Sequence, residues 1–100
     1  MENQKELLHL IDSHLAGSGI ESSKVADKSS FIALCTPYIQ RLLDHDFARL
    51  LQIMYRIDVS EKDFALTLRL DDAASSPAEE ISLLIYNRLE LKAAYRQKYK

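Results

Sequence analysis

The sequence is poor in the residues that punctuate or staple a chain. Its 100 residues include one cysteine, two glycines, two prolines and no tryptophan. Cys35 alone excludes an intrachain disulfide, so nothing calls for an oxidising compartment. Two Gly and two Pro are too few for a fold of many hairpins, whose turns draw on those residues. No apolar run approaches the ~20 residues of a membrane-spanning helix. The first residues, Met1-Glu2-Asn3-Gln4-Lys5-Glu6, are polar and charged, unlike a secretory signal, and the expected location is the cytoplasm. Strong charge of one sign is also missing. A net charge of −2 gives no global pull toward nucleic acid or anionic lipid.

What is present favours helix. The apolar share is 47 %, too high for a disordered chain, with sixteen Leu and eight Ile against two Val and two Thr. Leu keeps most of its rotamer freedom in a helix, whereas Val and Thr lose it. The length suits one domain over residues 1–100. The expected fold is all-α, a compact bundle of four to five helices.

Local signals place the helices. Asn3 with Glu6 forms a capping-box pattern, Leu7, Leu8, Ile11 and Leu15 share a face, and Gly17 suits a helix end. This predicts a first helix over about 3–16 and a loop over 17–28, followed by a short helix over 29–35. Thr36-Pro37 reads as a second start, because Pro fits a first turn that has no use for its N–H. Ile39, Leu42, Leu43, Phe47, Leu50, Leu51, Met54 and Ile57 then keep one phase, opposite a polar stripe of Arg41, His45, Arg49, Gln52 and Arg56. Asp44-His45-Asp46 offers a break with Asp46 as a fresh cap, but the unbroken phase favours one central helix over 37–57. Ser60 and Asp63 cap a segment over 61–70 whose alternating Phe64, Leu66, Leu68 and Leu70 also suit a strand; the cap and the leucines favour helix. Ser76-Pro77-Ala78-Glu79 is the clearest start in the chain. It opens a last helix over 77–97 with an expected core face of Ile81, Leu84, Ile85, Leu91 and Tyr95.

The stretch Tyr55-Arg56-Ile57-Asp58-Val59-Ser60-Glu61, and the basic last helix from Leu84-Ile85-Tyr86-Asn87-Arg88 onward, resemble a group of short uncharacterised bacterial proteins. The resemblance covers the C-terminal half. It implies a helical fold and supplies neither an activity nor site residues.

Side-chain chemistry points away from catalysis. His9 and His14 are five apart, about 140° around a helix, rather than the i, i+4 pair that zinc uses. His14 beside Asp12, and His45 between Asp44 and Asp46, point in different directions. Cys35 ends the apolar run Phe31-Ile32-Ala33-Leu34 and reads as core filler. Asp71-Asp72 and Glu79-Glu80 come with no apolar pocket to raise one pKa. No phosphate loop, nucleophile elbow or Cys-x-x-Cys is present. The expectation is a non-enzyme with no metal, cofactor or small-molecule ligand and no membrane contact.

Two surfaces remain. Leu83 and Leu89 fall off the main stripe of the last helix beside Tyr86, and Leu83, Tyr86 and Leu89 together suggest an apolar patch for another protein or a second copy, as in a homodimer. Charge is also uneven. Asp58–Glu80 holds seven acids and two bases, whereas Arg88–Lys100 holds five bases and one acid. Arg88, Lys92, Arg96 and Lys100 recur every four residues, flanked by Tyr95 and Tyr99. Bases beside aromatics can grip an anionic partner, with Arg88, Lys92, Tyr95 and Arg96 as the candidates. Bases at a helix C-terminus also complement its dipole, which weakens the case for nucleic acid. A helix-turn-helix around Asp58-Val59-Ser60 would lead into the groove with Glu61 and Asp63, the wrong charge for phosphates. The leading reading is a self-associating protein-interaction module; a nucleic-acid accessory using the basic helix is the alternative.

Overall fold

A computed structural model describes residues 2–69 and 76–98. Among these residues the chain forms five α-helices and no strand: α1 Glu2–His14, α2 Lys28–His45, α3 Phe47–Ile57, α4 Glu61–Arg69 and α5 Pro77–Lys98. One 3-10 turn, Ser22–Lys24, lies in the loop between α1 and α2. The all-α bundle expected from the sequence is what forms. The ambiguous segment over 61–69 is helix. Its N-terminus is capped by Ser60, whose hydroxyl accepts from the Asp63 N–H at 3.4 Å. Leu70 and the loop with Asp71-Asp72 lie outside the described residues.

The middle of the chain corrects the sequence reading twice. Thr36-Pro37 starts nothing, because α2 begins at Lys28 and carries Pro37 in its interior. The true start is Asp27, which accepts from the Ser30 N–H while the Ser30 hydroxyl accepts from the Asp27 N–H. Thr36 is no cap; its hydroxyl donates back to the Ile32 carbonyl at 2.7 Å. Pro37 and Ala33 both lie on the exposed face, so the carbonyl that loses its donor opens toward solvent. The expected helix over 37–57 is also two helices. Asp46 ends α2, its N–H bonded to the Leu42 carbonyl, and caps α3 by accepting from the Arg49 N–H. Asp competes poorly inside a helix and well at its ends, so the break falls there.

α3 ends in a Schellman motif. Asp58 adopts the left-handed conformation, φ 69° and ψ 46°. Its N–H bonds the Tyr55 carbonyl and the Val59 N–H bonds the Met54 carbonyl, which satisfies the last turn. Asp holds a position where Gly is usual, because its short polar side chain tolerates the left-handed region. At the end of α1, Gly17 and Gly19 both have φ +84°, and two left-handed residues turn the chain away from the helix.

α5 is the axis of the bundle and touches all four other helices, α2 and α1 most heavily. Its buried face is Ala78, Ile81, Ser82, Ile85, Tyr86, Leu89 and Ala93. Small residues at 78, 82 and 93 let neighbouring helices approach closely. The Ser82 hydroxyl is satisfied by the Ala78 carbonyl at 2.8 Å, so burying it leaves no orphan group. Phe31 of α2 meets Tyr86 ring to ring at 5.3 Å. Leu7, Leu10, Ile11 and Leu15 supply the α1 side, and Leu50, Ile53, Met54 and Ile57 the α3 side, of one apolar core.

Candidate functional site

The apolar patch expected on α5 is a correction. Tyr86 is 5 % and Leu89 0 % exposed, both inside the chain's own core, and Leu83 is half-buried. Leu91 and Tyr95, expected in the core, are 62 % and 66 % exposed. The helix is rotated relative to the reading from its large side chains. That reading passed over Ala78, Ser82 and Ala93, which fix the buried face.

The basic residues do come together. Arg88, Lys92, Tyr95 and Arg96 line one groove of about 550 Å³ between α1 and α5, with Leu10, His14 and Leu91 completing its wall. Two of its cations are engaged at its ends. The Arg88 Nη2 donates to Asp58 Oδ2 at 3.2 Å, and the Arg96 Nη1 donates to Glu6 Oε1 at 2.9 Å. Lys92, midway between them, has no carboxylate partner among the described residues. Tyr99 and Lys100 lie outside the described residues.

His14 is the groove's unexpected member. Burial pushes its pKa below the ordinary 6.5, and Lys92, Arg56 and Arg96 push it the same way. Its Nδ1 and the Arg88 Nε are buried without a hydrogen-bond partner. The sequence shows His14 only as a helix-end histidine; nothing local reveals that α5 lays Lys92 and Arg96, and α3 Arg56, near it.

A second surface lies on α3. Phe47, Leu51 and Tyr55 are 40 %, 45 % and 83 % exposed and stand at i, i+4 and i+8, one stripe of the helix. The sequence reading placed Phe47 and Leu51 in the core. The break at Asp46 turns α3 so that Leu50, Ile53, Met54 and Ile57 face inward instead. Phe47 stacks on Phe64 of α4 at 6.2 Å. Leu51 and Tyr55 form a ridge between two hollows. One, about 400 Å³, runs to Phe64 and Val59; the other, about 390 Å³, is bordered by Gln52 and Arg56.

The remaining candidates stay apart. Cys35 is fully buried, and desolvation drives its thiol up to about 11 despite the Ser82 hydroxyl beside it. A thiol held protonated is a poor nucleophile. His9 and His45 are exposed on separate helices, and among the described residues no three of His, Cys, Asp and Glu are grouped to hold a metal ion. No helix among the described residues is long and apolar enough to cross a membrane.

No protein-family model matches the chain, and no curated protein or solved structure matches it either. Its functional reading therefore rests on these two surfaces.

Proposed function

We propose that this chain is a non-enzymatic protein-interaction module that pairs reversibly with a second copy through α3. The observation behind this is the exposed stripe Phe47, Leu51 and Tyr55 on a helix whose other apolar side already fills the core. Isolated exposed apolar residues are ordinary, but three in register on one short helix are a contact surface.

The stripe is complementary to itself. Two copies of α3 crossing antiparallel about Leu51 bring each Phe47 to Tyr55 of the other copy. An isologous contact of this kind closes on itself and stops at two. The Leu51–Tyr55 ridge of each copy fits the hollow beside the other's, as helices pack ridge into groove.

The dimer is not obligate, because α5 completes the core within one chain. From Phe47 to Tyr55 the stripe is only about 12 Å long at 1.5 Å per residue, which puts the contact at the small end of stable interfaces.

Disulfide trapping tests the geometry. Facing Cα atoms on helices packed 8–10 Å apart come within roughly 4–5 Å, close enough for a bridge. Cys35 is buried, so Leu51→Cys supplies the one exposed thiol. Under mild oxidation this variant is expected to form a covalent dimer far faster than Gln40→Cys, on an exposed face of α2. Equal rates for the two would remove α3 as the interface.

A further inference from the structure

We propose that the groove between α1 and α5 binds a small organic phosphate, with the phosphoryl group at Lys92 and His14 and the organic body against Leu91 and Tyr95. This site is separate from the α3 stripe and goes beyond the pairing role.

The groove's size and walls define the ligand class. At about 550 Å³ it falls within the roughly 300–1,000 Å³ of small-molecule sites. One part of its wall is apolar, from Leu10, Leu91 and Tyr95; the other is cationic. Arg88, Lys92 and Arg96 stand one turn apart in a row about 12 Å long, and because Asp58 and Glu6 hold its two ends, Lys92 is the cation left at the middle of the groove.

Charge selects a phosphate over a singly charged acid. Arg88, Lys92 and Arg96 line the groove with His14, against the two carboxylates Glu6 and Asp58 that pair with Arg96 and Arg88. This leaves Lys92 as the groove cation without a carboxylate among the described residues. A phosphate monoester carries about −1.5 to −2 at neutral pH and offers three acceptor oxygens. Lys92 and a protonated His14 match that charge at short range. The groove wall also holds two enclosed nitrogens without a partner, the His14 Nδ1 and the Arg88 Nε. Burial is the first cause that disfavours the imidazolium in the free protein; the cations beside it add to that, and a bound dianion offsets their share. Binding therefore takes up a proton at His14.

Phenyl phosphate is the probe, followed by NMR on the His14 imidazole of the full chain, with His9 and His45 as internal controls. The expected result is saturable binding that raises the His14 pKa and leaves those of His9 and His45 in place. Lys92→Ala is expected to weaken phenyl phosphate about tenfold or more, the loss of one charged hydrogen bond. Tyr95→Ala is expected to weaken phenyl phosphate while leaving inorganic phosphate unchanged. Leu51→Asp should bind as the parent does, which separates this site from the pairing surface. No saturable change at His14, or binding of benzoate as tight as that of phenyl phosphate, would overturn the proposal. So would tighter binding of a single-stranded oligonucleotide with a salt dependence of several phosphates, which would mark an extended nucleic-acid surface instead.

Discussion

Arg88 donates to Asp58 at 3.2 Å, and so the axial helix α5 holds the left-handed residue that ends α3. That contact joins the two surfaces, because Arg88 lines the anion groove and Asp58 borders the hollow beside the α3 stripe. The ion pair is solvent-exposed on its Asp58 side, so its contribution to stability is small, ~0–1 kcal/mol. The backbone conformation at Asp58 matters more.

Replacing Asp58 tests that balance. Asp58→Ala keeps a Cβ in the left-handed region and drops the polar compensation, and is expected to cost about 1–2 kcal/mol. Asp58→Gly relieves the backbone but loosens the unfolded chain and loses the ion pair, and is expected to be neutral within about 1 kcal/mol. Urea denaturation midpoints of the two variants check this. Glycine proving as costly as alanine would mean that the Arg88 contact, not the turn, holds the helix end.

Pro37 sits inside α2, where its ring and missing N–H work against the helix. Pro37→Ala is expected to stabilise the fold by ~1–3 kcal/mol, up to the intrinsic penalty of an interior proline. A lower thermal midpoint for the variant would show instead that packing of α2 on α5 depends on Pro37.

The rotation of α5 is checked by a pair of truncations. Ile85→Ala removes a fully buried side chain at the α5 core and is expected to cost about 2–5 kcal/mol. Leu91→Ala removes an exposed one and is expected to change stability by less than about 0.5 kcal/mol. Comparable losses at both positions would contradict the buried face described above.

His14 gives the fold a pH dependence of known sign. Its folded pKa lies below 6.5, so as pH falls through 6.5 the unfolded chain takes up this proton before the folded one. Wherever the unfolded state binds more protons, stability drops with falling pH. The loss continues until folded His14 also protonates. His14→Gln is expected to lose less stability than the parent between the two sides of pH 6.5, read as the shift in urea midpoint. An identical loss in both proteins would place the pH dependence elsewhere.

Much of this molecule was legible in its sequence, and the failures share a cause. Capping chemistry is local, so Ser60 and Ser76 marked their helix starts correctly. The basic residues recurring at every fourth position of α5 could be grouped for the same reason, and the groove does collect them. Thr36-Pro37 misled because an interior proline on a solvent face carries the same local signature as a helix start. The unbroken apolar phase across Asp46 misled because hydrophobic spacing does not reveal a change of helix axis. Tyr86 and Leu89 read as surface in the sequence because Ala78, Ser82 and Ala93, which share their buried face, carry little hydrophobic signal. The groove's His14 and the α3 stripe depend on how whole helices lie against each other, and no window of sequence holds that.

The pairing of α3 is tested most directly by sedimentation velocity over a wide range of protein concentration, with the parent chain and Leu51→Asp run side by side. The expected result is a monomer–dimer equilibrium in the parent, shifting with concentration, and a monomer throughout for Leu51→Asp with an unchanged helical circular-dichroism spectrum. A parent chain that stays monomeric at every concentration, or a Leu51→Asp chain that dimerises as the parent does, would contradict it.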